Sequence, residues 1–377
     1  MNRITKSLLI GLVTIISACS DEKSSTKQKA STESTAQSSD SSKATENKLQ
    51  TKFVTIATGG ASGPTNIYAT TLANEYARVY GVNSKTQTTG ASIENLNLFK
   101  LKKVEMAFLM SDTLIEAVEG KRNFSEPIKS IRQIATLYPN FVHIVVRADS
   151  DIKEVSDLRG KRVSVGAQNS ATEMNTRAIL KFFDISYDDI YEDYLGYAES
   201  AEALRAGRVD AAFLTTGIPN SSLMDLNQTM PFRLLALPPE KVEEIVKEET
   251  YFQKNTIPAG TYGSSPDVPT IAILNAMIVQ ESLSEDDVYK LTKTFFESLP
   301  KLRASHQSIK DVNVMDAQKG HVAPMHPGAK RYYDEVNARG SAEGGDSGGA
   351  SGGATSQVTG STPAEVPGST SSEATRS

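Results

Sequence analysis

The chain has 377 residues, with 40 lysines and arginines against 45 aspartates and glutamates and a formal net charge of −5. That balance provides no broad basic field, which excludes nucleic acid as a partner. The length suffices for two domains, the single cysteine excludes an internal disulfide or a thiolate metal site, and the absence of tryptophan weakens the case for a sugar-stacking cleft.

Taken in chain order, Arg3 and Lys6 precede an apolar run from Leu8 to Ile16, and Ser17-Ala18 are small residues directly before Cys19. This is the layout of a secretory signal peptide, and the run is too short for the ~20 residues that span a bilayer. The segment also resembles a bacterial lipobox, which implies removal of residues 1–18, acylation of Cys19 and anchoring of the mature chain to a membrane through lipid. Residues 19–50 are Ser, Thr, Lys, Glu and Gln with almost nothing apolar, so they are expected to stay unfolded as a tether. As a flexible coil such a tether reaches about 30 Å.

Residues 51–339 carry the strand and helix signals. Phe53 to Ala57 reads as a strand, followed by the loop Thr58 to Gly63 and a helix opened by Pro64 whose buried face is Ile67, Tyr68, Leu72, Tyr76 and Val79. A strand near Ser84 to Thr88, the turn Thr89 to Ser92 and a helix with Ile93, Leu96 and Leu101 repeat the logic, and Val104 to Met110 is a buried strand ending at Ser111-Asp112. A second set runs through Val142 to Val146, Arg162 to Gly166, a helix from Thr172 to Phe183, a helix from Glu199 to Ala206 closed by Gly207, and a strand from Val209 to Leu214. Ser170 and Glu173 have the spacing of a capping box. A later strand, Thr270 to Val279, and the helix Ser284 to Leu299 return to the first set. The expected class is α/β with mainly parallel strands, split into domain I (51–142 and 257–339) and domain II (143–256) with a cleft between them. Residues 340–377, rich in Gly, Ser, Ala and Thr, are expected to form an unfolded tail.

In open parallel sheets ligands sit beyond the carboxyl ends of the strands, where loops enter helix N-termini with free N–H groups. Five loops qualify: Thr58 to Gly63, Thr89 to Ser92, Ser111-Asp112, Ala167 to Thr172 and Thr215 to Gly217. Any one of them is ordinary helix-start chemistry; together they predict a site for an anionic group. Gly59 to Gly63 lacks the spacing of a nucleotide fingerprint. His143, His306, His321 and His326 match no zinc motif, and the last two lie in a proline-rich turn expected to pack a C-terminal helix. Ser111 has no nucleophile elbow, and Asp112 reads first as an N-cap for Thr113 to Val118, with pairing to a ligand ammonium as the alternative. No catalytic set assembles, so the expectation is a binding protein without enzymatic activity, metal or cofactor.

With these loops laid out, the chain resembles the extracytoplasmic solute receptors of TRAP transporters, in particular the TAXI family, from about residue 51 to residue 337. The resemblance rests on Ile56 to Gly60 with Ser62-Gly63, Thr89 to Leu96, Phe108 to Asp112, Leu137-Tyr138-Pro139 leading to His143 to Arg147, Asp157 to Gly166, and Pro324 to Ala329. It implies a two-domain, type II periplasmic-binding-protein-like fold that closes on a small carboxylate, whether a glutamate-like amino acid, a 2-oxo acid or a dicarboxylate. It further implies delivery to ion-gradient-driven TRAP membrane subunits by a monomer outside the cytoplasm. By resemblance and position the ligand-binding residues are Gly60, Ala61, Ser62, Thr89, Gly90, Ala91, Ser92, Ser111, Asp112, Ser170, Ala171, Thr172 and Thr216, with Tyr138 as a wall. A surface antigen or ligand-sensing lipoprotein uncoupled from transport is the alternative.

Overall fold

Buried apolar runs set the frame. In a computed structural model, which describes residues 48–263 and 265–345, the segments MAFLM and AAFLTT are buried at every position, the pattern of strands covered on both faces. In chain order the elements are β1 (Phe53–Ala57), α1 (Pro64–Tyr80), β2 (Asn83–Gln87), α2 (Ser92–Lys100), β3 (Met106–Met110), α3 (Ser111–Glu119) and β4 (Ile131–Arg147). There follow β5 (Arg162–Ser164), α4 (Ala171–Lys181), β6 (Tyr191–Asp193), α5 (Tyr197–Arg205), β7 (Ala211–Thr216), α6 (Ser221–Thr229), β8 (Phe232–Leu234), α7 (Pro239–Glu248), β9 (Phe252–Ile257) and β10 (Val268–Gln280). The chain then turns helical, through α8 (Glu285–Glu297), α9 (Leu299–Ser305), α10 (Val314–Ala317) and α11 (Pro327–Gly345). The α/β class expected from the sequence is what the structure has.

The sheet order is β2-β1-β3-β10-β4-β7-β5-β6, with β8 on β4 and β9 on β10. It is mixed rather than mainly parallel. β1 pairs parallel with β2 and β3, and β5 pairs parallel with β6 and β7. The long strands β4 and β10 run antiparallel to each other and to β7 and β3. Short periodic windows misread this because β4 spans 17 residues, of which only Val142 to Val146 stood out as a strand. β4 carries the chain from the first set of parallel strands to the second, and β10 brings it back.

Pro139 sits inside β4. Lacking an N–H, it cannot complete a ladder, and the β4–β10 pairing shifts register between Leu274 and Ala276, next to its partner position. The strand pair therefore keeps its hydrogen bonds on either side of a local irregularity at Asn275.

Helices cover both faces of each parallel set. Tyr68, Leu72 and Tyr76 of α1 pack with Val54, Ile56 and Phe295, while Leu96, Phe99 and Leu114 pack behind Leu109. In the second set Ile179, Leu180 and Ile245 pack with Ile144 and Val163, and Leu204 and Leu223 pack with Val145 and Leu214. Leu101, expected on the buried face of α2, lies past the end of that helix and is 67% exposed; Phe99 fills the core instead. Gly207 closes the turn after α5 at φ +66°, a backbone conformation open to glycine at little cost.

The Ser170 hydroxyl accepts from the Glu173 N–H at 3.2 Å, but this is only half of a capping box. Glu173 gives its carboxylate to Arg177 and to the Tyr187 hydroxyl. At the C-terminal turn His326 is buried and its Nδ1 accepts from the Gly328 N–H at 3.1 Å, fixing the entry of α11, so this histidine is structural. α11 runs to Gly345, past residue 340 where the tail was expected to begin. Cys19, the signal segment and residues 346–377 lie outside the described residues, as does all but the end of the tether.

Candidate functional site

Between the two strand sets lies a cavity of about 520 Å³. It is lined by the C-terminal ends of β3 and β7, by the loops that follow β1, β2, β5 and β6 with the first residues of the helices they enter, and by Asn140 of β4 and Asn275 of β10. Besides these two asparagines the lining residues are Thr58 to Thr65, Thr88 to Ser92, Phe108 to Met110, Ala167, Ser170, Thr172, Tyr194 to Glu199 and Thr216. Residues at the N-termini of α1, α2, α4 and α5 border this space, and helix dipoles favour negative charge at such ends. Among the described residues lining it there is no Lys, Arg or His, and Glu199 is the single charged side chain.

Of the residues expected from the sequence, Gly60, Ala61, Ser62, Thr89, Gly90, Ala91, Ser92, Ser170, Thr172 and Thr216 line the cavity. Ser111, Asp112, Ala171 and Tyr138 do not. Ser111 and Asp112 open α3 and Ala171 opens α4, and all three are buried, Ala171 within the apolar core of the second set. Met110, not Asp112, is the residue that precedes α3; Asp112 Oδ1 accepts from the Thr113 N–H at 2.5 Å and the Thr113 hydroxyl at 3.1 Å. Its other oxygen has no partner, and burial pushes its pKa up to about 7. Tyr138 stands behind the wall, its hydroxyl 3.1 Å from that of Thr65, and faces a second cavity of about 740 Å³ on the far side of β4.

The loops are held by a polar network that sequence inspection missed. Asn95, fully buried, donates to the carbonyls of Thr58 at 2.5 Å and Phe108 at 2.8 Å and accepts from the Thr89 hydroxyl at 2.6 Å. Thr89 in turn accepts from the Ala91 N–H at 3.0 Å. Thr89 is therefore committed to the scaffold. Ser92 is different: its oxygen accepts from the Met110 N–H at 3.1 Å, which leaves its proton for the cavity. Gly90 approaches the opposite loop so closely that a Cβ there would lie 3.2 Å from the Gln168 carbonyl. Across the same gap the Ser221 hydroxyl donates to the Ser62 carbonyl at 2.8 Å, and Arg122 pairs with Glu249 at 3.1 Å.

Tyr197, Tyr194, Thr65, Asn140, Asn275 and Glu199 also line the space and were not among the expected residues. The Tyr197 hydroxyl donates to the Thr215 carbonyl at 2.6 Å, and burial raises its pKa to about 12. Asn140 and Asn275 flank the Pro139–Leu274 pair, next to the register shift between β4 and β10, and Pro139 is the mark of that place in the sequence. Chemically the arrangement is a set of neutral hydroxyl and amide donors and helix N-termini with no nucleophile–base pair, suited to holding an oxyanion.

Solved structures with a similar path of the chain include a periplasmic transporter, 15% identical, covering 77% of this chain and 94% of that one at a TM-score of 0.48. They also include the periplasmic aliphatic sulphonate binding protein SsuA from Escherichia coli, 12% identical, covering 76% and 84% at 0.42. A third is the alkanesulfonate-binding protein SsuA from Xanthomonas axonopodis pv. citri bound to MOPS, 15% identical, covering 75% and 84% at 0.44. The sequence matches the NMT1-like family across residues 56–336, from β1 to the C-terminal helix, and the chain belongs to that family.

Proposed function

We propose that this protein is an extracytoplasmic solute receptor that binds a small carboxylate metabolite between its two strand sets and delivers it to a membrane transporter of the TRAP type. The observation that carries this reading is the cavity itself: about 520 Å³, closed by loops from both sets, with the N-termini of four helices and a ring of hydroxyl and amide donors. A carboxylate held there exchanges water for fixed dipoles and charge-assisted hydrogen bonds, which are roughly twice as strong as neutral ones. Ser92 and Thr172 are the side chains on which we place the carboxylate, with Ser62 and Thr216 completing its shell. β4 and β10 are the strands that connect the sets, so we place the hinge of opening and closing on them, with residues 51–142 and 257–339 on one side and 143–256 on the other. The resemblance to TAXI receptors adds coupling to an ion-gradient-driven permease, and Cys19 adds a lipid anchor.

The test is native mass spectrometry of the purified protein followed by a thermal-shift panel of amino acids, 2-oxo acids and dicarboxylates. A ligand that binds only the folded state stabilises it by mass action, so one carboxylate is expected to raise the melting temperature in proportion to the logarithm of its concentration. Replacing Ser92 by Ala removes one charge-assisted bond and is expected to weaken that ligand by about tenfold or more. Indifference of the wild-type protein to the whole panel would overturn the carboxylate reading.

A further inference from the structure

Behind the cavity wall, four buried polar side chains form a connected line. His143 on β4 and Asn220, the residue that caps α6, are fully buried, Thr216 is 1% exposed and Tyr262 is 3% exposed. His143 Nδ1 lies 2.9 Å from the Phe141 carbonyl and 3.3 Å from that of Leu214; its Nε2 lies 2.9 Å from the Tyr262 hydroxyl. The Asn220 backbone N–H donates to the Tyr262 oxygen at 3.0 Å, and the Asn220 side-chain amide donates to the Thr216 hydroxyl at 3.2 Å. We propose that His143, Tyr262 and Asn220 are a positioning chain that turns the Thr216 proton toward the cavity, so that the ligand atom meeting Thr216 is a hydrogen-bond acceptor such as a carboxylate or carbonyl oxygen. The proposal deepens the receptor reading above and rests on it.

Each bond in the line has one permitted direction. Both neighbours of His143 Nδ1 are carbonyls, which only accept, so Nδ1 carries the proton of the neutral ring and Nε2 is bare. A bare Nε2 accepts, so the Tyr262 O–H donates to it. The Tyr262 oxygen then receives the Asn220 N–H, a buried donor that would otherwise have no partner at that position. With its backbone held at Tyr262, Asn220 places its side chain so that Oδ1 caps α6 by accepting from the Leu223 N–H at 3.3 Å, which turns its NH₂ toward Thr216. With a donor on that side, the Thr216 hydroxyl points its own proton away, to the Gly217 carbonyl at 3.3 Å, to the Tyr197 oxygen, or to a bound ligand. Tyr197 does not reverse this, because its proton is already given to Thr215. A histidine in the core of β4 thus reaches the cavity through three bonds whose polarity the fold fixes.

The experiment uses the full chain with histidine labelled with nitrogen-15, and two variants. In the ligand-free protein at pH 7 the expected signature is a neutral His143 with the proton on Nδ1; a proton on Nε2 overturns the chain at its first link. Asn220→Asp keeps the cap on α6 but presents an acceptor to Thr216, drawing its proton away from the cavity, and Tyr262→Phe cuts the line at the middle. Both are expected to shift the Thr216 methyl resonance before any ligand is added, and an unmoved resonance overturns the proposal. Binding is then read by calorimetry with L-glutamate, 2-oxoglutarate and succinate as probes. Thr216→Val and Asn220→Asp are each expected to weaken the bound probe by about tenfold, and the double variant to be no weaker than Thr216→Val alone, since the chain acts only through that hydroxyl. Additive losses in the double variant would mean a general structural role and overturn the proposal. If the wild type binds none of the probes, the carboxylate reading fails while the resonances still decide the chain.

Discussion

Asp112 is the residue at which burial and charge conflict most openly. It is 1% exposed, one of its carboxylate oxygens has no partner, and burial raises its pKa from 3.8 to about 7 against the opposing bonds from Thr113. The groups around it do not cancel this: Glu116 adds a repulsion and Arg122 a weaker attraction. Because the folded pKa lies above the unfolded one, the folded state binds the proton more tightly, and the stability this provides is complete below about pH 4 and lost as pH rises through about 7. At ~1.4 kcal/mol per unit the loss is on the order of 4 kcal/mol, an upper bound because the surrounding protein relaxes. Asp112→Asn keeps an oxygen for Thr113 and removes the titration. We expect this variant to match the wild type in urea unfolding at about pH 3.5, below the unfolded pKa, and to exceed it by a few kcal/mol at pH 8. An unchanged difference between the two pH values would show that Asp112 finds a partner in solution. Since Asp112 does not line the cavity, the change is expected to leave ligand affinity near the wild-type value.

At the scale of single elements, the N-terminus of α2 shows strain placed at the site. Ala91 precedes the helix at φ +98° and ψ −144°, a region that side chains with a Cβ rarely occupy. The strain is held by the Ala91 N–H bond to Thr89 and by Asn95, which pins Thr89 to β1 and β3. Ala91→Gly relieves a cost of ~1–3 kcal/mol and adds back ~0.5–1 kcal/mol of unfolded-state entropy, so a net gain of about 1 kcal/mol in thermal unfolding is expected. A loss instead would mean that the Cβ packs favourably in the cavity wall. This corner also shows what the sequence made legible. The loops after β1, β2 and β5 were readable because Gly, Ser and Thr cluster between an apolar run and a helical period, and ten expected residues meet around one cavity. Asn95 was not readable, since an asparagine inside a helical pattern announces nothing until two strand carbonyls are brought to it. The polarity of β4 and β10 was hidden for a similar reason: antiparallel crossing strands have the same apolar composition as parallel core strands, and only Pro139 marks where their ladder breaks. Ser111, Asp112 and Ala171 fall in the first turns of helices, where only some positions face the cavity: Ser92 and Thr172 do and these three do not, a distinction of side-chain direction that loop composition does not carry.

For the whole molecule the question is whether the two strand sets move about β4 and β10, and Gly217 offers a test. It follows Thr216 at the end of β7, and a Cβ at this position would lie 2.6 Å from a Tyr138 ring carbon and 3.0 Å from the Cβ of Ser308. Tyr138 belongs to β4 and Ser308 to the segment after α9, so Gly217 of the second strand set is in contact with the crossing strand and with the helices packed on the first. Under our hinge reading the absence of a side chain is what permits this approach. Tyr138 cannot give way easily, being buried against Tyr68 with its hydroxyl engaged by Thr65. A leucine at position 217 must therefore hold the sets apart or force the ring aside. We expect Gly217→Leu to fold, because each set keeps its own core, but to show a larger radius of gyration by small-angle scattering. Its ligand affinity is expected to fall by about a hundredfold, roughly 3 kcal/mol, with the remaining binding insensitive to substitutions in whichever loop no longer reaches the ligand. An unchanged radius combined with unchanged affinity would mean that the structure accommodates the side chain without opening, and the hinge would then have to be sought elsewhere than on β4.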